Sequence, residues 1–246
     1  MSDAAYAVRL EGVTKEFLGA RQRHTLFRVL KSLGGLMNGT RPRSLDTIDV
    51  TIPRGEIVGI IGENGAGKTT LLKTIAGLYV ATQGIVEVNG EIALLAGLGA
   101  GMVDDLSVTD NVWLYGAVCR VRRSKIRAAF DGILQWAELE NFANAELRTL
   151  SMGMRTRLAF AIAMQIDSDT VLMDEAFSAG DKRFQEKCNR FFEESKSAGR
   201  TFVIATHNLD FVRAFCTSTL WLHKGRAMAF GPTDTVLEQY IGFEKR

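Results

Sequence analysis

The sequence predicts an α/β fold in which parallel strands alternate with helices. Three observations support this prediction. Residues 57–61 form an apolar run, followed by a glycine-rich turn and a predicted helix beginning near Lys68. Residues 170–174 form a second apolar run, and residues 200–205 form a third, with a helical pattern over residues 184–197 between them. Strands that are apolar on both faces are typical of parallel sheets covered by helices.

Length and composition limit the class of protein. The chain has 246 residues, enough for one large domain or a main domain with a small subdomain. The net charge of +2 gives no indication of nucleic-acid binding. The three widely spaced cysteines favour reduced thiols in the cytosol over a disulfide framework. The N-terminus lacks a secretory signal, and no apolar run reaches the ~20 residues that cross a bilayer, so a membrane role is expected through a partner.

The other elements are predicted from local patterns. Val8–Leu10 indicates an edge strand, with Gly12 turning into a further extended segment. Residues 106–150 change to a helical pattern, which predicts a helical subdomain inserted into the α/β unit. The remaining predicted elements are strands over 44–53 and 84–90, a helix over 155–166 and a two-stranded ending over 219–230.

A basic insertion is predicted over residues 18–45, which do not continue the strand pattern and are rich in arginine. Leu26, Leu30 and Leu33 fall at helical spacing and predict a short basic amphipathic helix. Such a helix suits anionic headgroups or the cytosolic face of a membrane partner. The alternative is an ordinary solvated insertion with a small docking face.

The strongest motif is Gly62-x-x-x-x-Gly67-Lys68-Thr69, which fits the phosphate-loop (Walker A) pattern in residue type, spacing and context. Glycines let backbone N–H groups at a helix start wrap a triphosphate. Lys68 is predicted to reach the outer phosphates and Thr69 to ligate Mg²⁺. The alternative is a glycine-rich turn with an incidental lysine. The predicted ATP-binding residues of this loop are Gly62, Glu63, Asn64, Gly65, Ala66, Gly67, Lys68, Thr69 and Thr70.

Further candidate residues follow the other apolar strands. Asp174 and Glu175 end one strand, where ligands of open α/β sheets bind. Asp174 is predicted to hold Mg²⁺ (Walker B), and Glu175 to polarise the attacking water. His207 follows the next strand and is predicted to hydrogen-bond the γ-phosphate, although a structural histidine is the alternative. Phe17 is either a stacking platform for adenine or a plain core residue.

These motifs together resemble ABC (ATP-binding-cassette) ATPases. Leu150-Ser151-Met152-Gly153-Met154 resembles the family's Leu-Ser-Gly-Gly-Gln signature, and Ser178-Ala179-Gly180-Asp181 resembles its D-loop. The resemblance covers nearly the whole chain in the family's order. It implies a P-loop NTPase ABC cassette with a RecA-like core, an antiparallel β subdomain and an inserted helical subdomain.

The signature also suggests pairing of two chains. Ser151 and the Gly153 N–H are predicted to lie at a helix N-terminus, a second anion site in a chain that already has a phosphate loop. The resemblance implies a head-to-tail homodimer in which Ser151, Met152, Gly153 and Met154 contact ATP bound to the opposite subunit, with Asp181 in the D-loop. Met152 and Met154 depart from the family pattern, and residues 92–106 contain no Q-loop glutamine.

The departures resemble one subfamily. Two segments resemble those of ATPase subunits of bacterial polysaccharide exporters, which move O-antigen, capsular or teichoic-acid chains. These segments are Leu98-Gly-Ala-Gly101 and Gly180-Asp-x-x-Phe184-x-x-Lys187-Cys188. This implies ATP and Mg²⁺ as cofactors, two transmembrane permease subunits as partners, a lipid-linked glycan as substrate and a location on the cytoplasmic face of the inner membrane. We expect a single ABC domain over residues 1–246 and no C-terminal carbohydrate-binding domain.

Three alternatives compete with this hypothesis. The first alternative is the ATPase of another ABC exporter, one that moves a lipid or a drug. The second is a soluble ABC ATPase, although soluble ABC ATPases typically carry two cassettes or a long coiled coil. A non-hydrolysing module is disfavoured by Lys68, Asp174, Glu175 and His207. The basic cluster over residues 120–127 would suit nucleic acid, but it is expected to be a solvated or membrane-near face, and no nucleic-acid partner is predicted.

Overall fold

A computed structural model describes residues 5–17, 43–96, 102–118, 121–165, 168–174 and 182–244. Several predicted features lie outside these ranges: residues 18–42 of the basic insertion, residues 97–101 of the Q-loop region, Glu175, and the D-loop with Asp181.

The described strands are β1 (Tyr6–Glu16), β2 (Arg43–Pro53), β3 (Ile57–Ile61), β4 (Gln83–Val88), β5 (Ile92–Ala96), β6 (Thr170–Asp174), β7 (Thr201–Ala205), β8 (Ser218–His223) and β9 (Arg226–Pro232). The described α-helices are α1 (Lys68–Ile75), α2 (Val108–Val118), α3 (Arg123–Ala137), α4 (Met152–Gln165), α5 (Lys182–Ser197), α6 (Leu209–Phe215) and α7 (Thr233–Glu244). Short 3₁₀ turns cover Glu140–Phe142 and Leu147–Thr149.

The main sheet has six strands in the order β5-β6-β7-β3-β8-β9. All neighbouring pairs are parallel except β8 and β9, which form an antiparallel hairpin. Every residue of β3 is buried because the sheet is covered on both sides. Ile57 and Ile61 face one core, whereas Val58 and Ile60 face the other, as expected for side chains that alternate along a strand. This two-sided burial explains the uninterrupted apolar runs.

The second sheet is antiparallel, with the order β2-β1-β4. The prediction of an edge strand at Val8–Leu10 is wrong, because β1 lies in the middle of this sheet. Gly12, at φ +57°, does not end the strand, and the register shifts between Leu10 and Val13. The Gly12 N–H donates to Asp49 Oδ1 at 2.7 Å. Alternating residues indicate a half-buried strand but do not reveal how many neighbours it has.

The predicted helical span over residues 106–150 contains α2, α3 and both 3₁₀ turns. Its apolar residues join one face of the main sheet in a single core, in which Phe160 of α4 is fully buried. Trp136 stacks on Phe160 at a ring-centroid distance of 5.2 Å and meets Phe184 of α5 edge-on at 5.8 Å. This helical region, residues 106–150, is therefore attached to the α/β core through aromatic rings. Over the described part of the chain, no helix has both the length and the apolar character to span a membrane.

Candidate nucleotide site

Strand register places the candidate residues at one edge of the main sheet. Asp174, the last residue of β6, lies opposite Ala205 of β7, and Ala205 lies opposite Ile60 of β3. The three strands are parallel, so the segments that follow them leave the sheet at the same edge. The phosphate loop, Asp174 and His207 are therefore brought together, at the end of the sheet where α/β proteins bind ligands.

The shape of the phosphate loop requires its glycines. Gly62 has φ +144°, and a Cβ added there would lie 2.2 Å from the Leu222 carbonyl oxygen. Gly67 has φ +109°, and a Cβ there would lie 2.6 Å from the Ser44 carbonyl oxygen. No other residue fits so close to a neighbouring backbone in this conformation. The loop is thus held between the β8 strand and the start of β2.

The hairpin between β8 and β9 also holds the loop. The Gly225 N–H donates to the Ala66 carbonyl at 2.9 Å, and the Asp46 N–H donates to the Gly225 carbonyl at 2.8 Å. Gly225 was not among the predicted site residues. Its signal was the Lys224-Gly225 turn between two strands, but nothing in the sequence indicates that this turn contacts residue 66.

Lys68 is the first residue of α1 and is 7% exposed. Its Nζ donates to the carbonyl oxygens of Gly62 at 2.6 Å and Glu63 at 3.2 Å. The N-cap residue Gly67 supplies no side-chain acceptor, and the first turn of α1 contains no acidic residue. The first N–H groups of the helix and the buried ammonium therefore form an environment suited to an anion.

Two predicted metal ligands frame this environment. Thr69 is exposed in the first turn of α1, and Asp174 is half-buried at the end of β6. Hydroxyl and carboxylate oxygens are the ligand types that Mg²⁺ prefers, so the donor set fits this ion. With nucleotide bound, Mg²⁺ would neutralise phosphate charge there.

His207 is exposed immediately after β7, on a tightly held backbone. The Thr206 N–H donates to the Ile60 carbonyl at 3.1 Å, so this segment is tied directly to the strand before the phosphate loop. The Asn208 N–H donates to Thr206 Oγ1 at 3.1 Å, and Asn208 Oδ1 caps α6 by accepting the Phe211 N–H at 3.0 Å. Thr206 was not among the predicted site residues, although this buried threonine holds the backbone on both sides of His207.

A cleft of about 380 Å³ opens beside His207, between α5 and α6. Its lining includes Cys188 and Phe211. Burial raises the pKa of Cys188 to about 12, partly opposed by Lys187. Burial therefore favours the neutral thiol at physiological pH.

Phe17 is half-buried at the end of β1 and meets Tyr79 edge-to-face, with ring centroids 5.2 Å apart. Lys15 Nζ lies 5.2 Å from the Phe17 ring centroid. Tyr79 was not predicted to contact Phe17, because it lies beyond α1 and belongs to no motif. Adenine stacking by Phe17 stays a prediction.

The signature forms the start of α4. Ser151 Oγ accepts the Met154 N–H at 3.2 Å, a typical N-cap contact, and the side chain of Met152 is 68% exposed. Arg155, one residue further, bonds Asp104 Oδ1 at 2.6 Å. The predicted helix start is therefore correct to within a few residues, and its N-terminus is accessible to a second molecule.

Comparisons with known proteins agree with this geometry. The fold and the loop define a P-loop nucleotide-binding protein. A family model described as "ABC transporter" matches residues 45–178, more than half of the chain. The chain belongs to this family, which confirms the family prediction.

Its relatives include ATP-binding proteins of polysaccharide export systems. The O-antigen export system ATP-binding protein RfbB of Myxococcus xanthus is 37% identical over 98% of this chain and 56% of its own length. The teichoic acids export ATP-binding protein TagH of Bacillus anthracis is 35% identical over 98% of this chain, which spans 43% of that protein. TagH of Staphylococcus haemolyticus is 31% identical over 97% of this chain and 89% of its own length. The predicted resemblance to this subfamily is confirmed.

Solved structures show the same fold. An ATP-binding subunit of an ABC transporter matches with a TM-score of 0.76 at 20% identity, over 95% of this chain and 93% of its own. A dimeric ATP-binding cassette, MJ0796, in a post-hydrolysis state bound to ADP and phosphate matches with a TM-score of 0.73 at 24% identity, over 92% and 98%. The predicted fold class, an α/β P-loop NTPase of the ABC cassette type, is confirmed.

Proposed function

We propose that the chain is the ATP-hydrolysing, nucleotide-binding subunit of an ABC exporter that moves a lipid-linked polysaccharide across the inner membrane. One observation carries the ATPase part: the phosphate loop with its buried Lys68 lies at the same sheet edge as Asp174 and His207. The names of the relatives support the polysaccharide part.

The roles of the residues follow from their positions. Lys68 exchanges the Gly62 and Glu63 carbonyls for the outer phosphates of ATP, which are stronger acceptors because they are charged. Thr69 and Asp174 would hold Mg²⁺. Glu175, directly after β6, polarises the attacking water, and His207 contacts the γ-phosphate.

The signature acts between two copies of the chain. Ser151 and the N–H groups at the start of α4 contact ATP held by the partner, and ATP therefore favours a closed homodimer. Hydrolysis removes this link and reopens the dimer. The helical region passes the movement to two transmembrane permease subunits, which hold the chain at the cytoplasmic face of the inner membrane.

Turnover by the purified chain tests the ATPase assignment. We expect the wild-type chain with Mg²⁺ to release phosphate from ATP, and Lys68→Ala to lose both nucleotide binding and turnover. Lys73→Ala is the matched control, because Lys73 lies on the same helix and contacts the Tyr79 ring at 5.6 Å. Equal turnover by wild type and Lys68→Ala would contradict the proposed site.

A chromosomal Lys68→Ala replacement tests the substrate class. The surface glycan should be lost and lipid-linked glycan should accumulate inside the cell membrane, because synthesis continues without export. Unchanged surface glycan, with lost transport of another lipid or a drug, would favour a different ABC exporter.

A further inference from the structure

The segment Phe184-x-x-Lys187-Cys188 is conspicuous in the sequence, and the nucleotide chemistry does not use it. In the structure, Phe184 and Cys188 are each 3% exposed. Phe184 packs edge-on against Trp136 and Phe160, with ring centroids at 5.8 and 5.6 Å. This part of α5 therefore faces the helical region directly.

Lys187 makes the polar contact between the two. Its Nζ donates to the carbonyl oxygen of Trp136 at 2.5 Å and lies 4.6 Å from the centroid of the Trp136 ring. Trp136 belongs to the last turn of α3. Carbonyl groups there have no N–H partner within the helix and carry partial negative charge. The last turn of α3 contains no basic residue of its own. Lys187 thus supplies from α5 the cation that the end of α3 lacks.

Glu138 extends this contact into a cluster. It follows α3 with φ +61°, a left-handed conformation that usually selects glycine at the end of a helix. Its carboxylate lies 3.2 Å from Arg157, 3.8 Å from Arg183 and 3.7 Å from Lys187. Arg157 belongs to α4, and Arg183 and Lys187 belong to α5, so three helices meet at one carboxylate.

The position of this cluster along the chain gives it a role. Ser151 caps α4, the helix of Arg157, and α5 begins only a few residues after Asp174 and Glu175. We propose that Lys187 is a positioning residue, which ties the end of α3 to α5 and thereby couples the helical region to the segment that carries Glu175. This inference rests on the proposed ATPase function.

The test compares ATP turnover by the purified full chain and its variants. Lys187→Met keeps the length of the stem but removes the ammonium, and we expect kcat to fall about tenfold with KM for ATP changed less than about twofold, because positioning affects the chemical step while the phosphate loop is untouched. Lys196→Met is the control, an exposed cation on the same helix, and should match wild type. Glu138→Gln should lower kcat less, because it removes the ion pair with Lys187 but leaves the bond from Lys187 to the Trp136 carbonyl in place.

Thermal unfolding of each variant separates positioning from folding. A drop in kcat that disappears when turnover is measured well below the unfolding midpoint would overturn the inference, as would kcat of Lys187→Met within twofold of wild type. If Lys187→Met does not fold, Glu138→Gln carries the test by the same criterion. Absence of turnover in the wild-type chain would overturn the proposed function, and this inference with it.

Discussion

Gly62 determines the phosphate loop at the scale of a single residue. Its left-handed backbone costs an L-residue about 1–2 kcal/mol. Its closeness to the Leu222 carbonyl adds a steric penalty that only a shift of backbone can relieve. Gly65 shares the left-handed conformation at φ +81° but has no atom within 4 Å of an added Cβ. The two glycines therefore separate conformational strain from steric overlap.

We predict that Gly65→Ala lowers the free energy of unfolding by about 1–2 kcal/mol and that Gly62→Ala lowers it by about 3 kcal/mol or more. Thermal unfolding measures the difference, since each kcal/mol shifts the midpoint by ~2–4 °C in a chain of this size. Equal midpoints for the two variants would mean that the loop is not pressed against Leu222.

The buried thiols make stability depend on pH. Burial raises the pKa of Cys188 and of Cys216 from 9.0 to about 12. Burial and the neighbouring Glu244 raise the pKa of Tyr240 from 10.0 to about 12. Each folded pKa lies above its unfolded value, so the folded chain retains protons that the unfolded chain releases. Proton release favours the unfolded chain, so these groups leave the free energy of unfolding unchanged below pH 9 and lower it as pH rises toward 12.

Urea unfolding at pH 8 and pH 10.5 measures this pH dependence of the free energy of unfolding. We expect a lower free energy of unfolding at pH 10.5 for the wild-type chain and a smaller difference for Cys188→Ala and Cys216→Ala, because alanine does not titrate. A pH dependence identical in wild type and variants would show that these thiols are not buried as described.

Residues that belong to a local sequence motif could be predicted, whereas residues that contact the site from a distant part of the chain could not. Lys68 and His207 follow parallel strands and Asp174 ends one, so sequence pattern alone predicts that they lie at the same end of the sheet, and their roles there stay predictions. Tyr79 and Gly225 were missed, because their contacts with Phe17 and Ala66 join parts of the chain that no local pattern connects.

At the scale of elements, α4 shows how one helix start can serve two purposes. Ser151 Oγ accepts the Met154 N–H and so stabilises the helix. The same residue is predicted to contact ATP across the dimer. Ser107 has the first role alone, since its Oγ accepts the Asp110 N–H at 3.0 Å at the start of α2. The two serines form a matched pair.

We predict that Ser151→Ala and Ser107→Ala each lower the free energy of unfolding by about 1 kcal/mol, the usual cost of losing an N-cap. Only Ser151→Ala should lower ATP turnover, by about tenfold or more, because one charge-assisted hydrogen bond to phosphate is lost. Parallel turnover and unfolding measurements decide. A similar loss of turnover in both variants would leave the signature with a purely structural role.

Predicted elements were most accurate where burial is two-sided. The strand over residues 170–174 was predicted with its exact ends and the strand over residues 200–205 to within one residue, whereas the edge strand Ile92–Ala96 was not predicted. Two helices were missed, Leu209–Phe215 and Thr233–Glu244. The first is only two turns long, too short for a periodic pattern, and depends on the Asn208 cap. The second buries Val236, Leu237 and Tyr240 at helical spacing, a signal that was present in the sequence and was overlooked.

At the scale of the whole molecule, the proposed ATPase mechanism requires two copies of the chain. One chain supplies a phosphate loop with a buried lysine and, on a different helix, a capped and exposed signature. Each is half of a phosphate-binding site in the proposed mechanism. Closure around ATP, and not binding alone, would then drive transport.

The most direct test is the mass of the Glu175→Gln chain in solution, measured by sedimentation with and without saturating Mg²⁺ and ATP. Loss of the carboxylate that polarises water should stop turnover without weakening ATP binding. We therefore predict that the Glu175→Gln chain is a stable dimer with ATP and a monomer without nucleotide. The double variant Glu175→Gln, Lys68→Ala should remain a monomer with ATP. A Glu175→Gln chain that binds ATP and remains monomeric at saturation, or that hydrolyses ATP at the wild-type rate, would contradict the account.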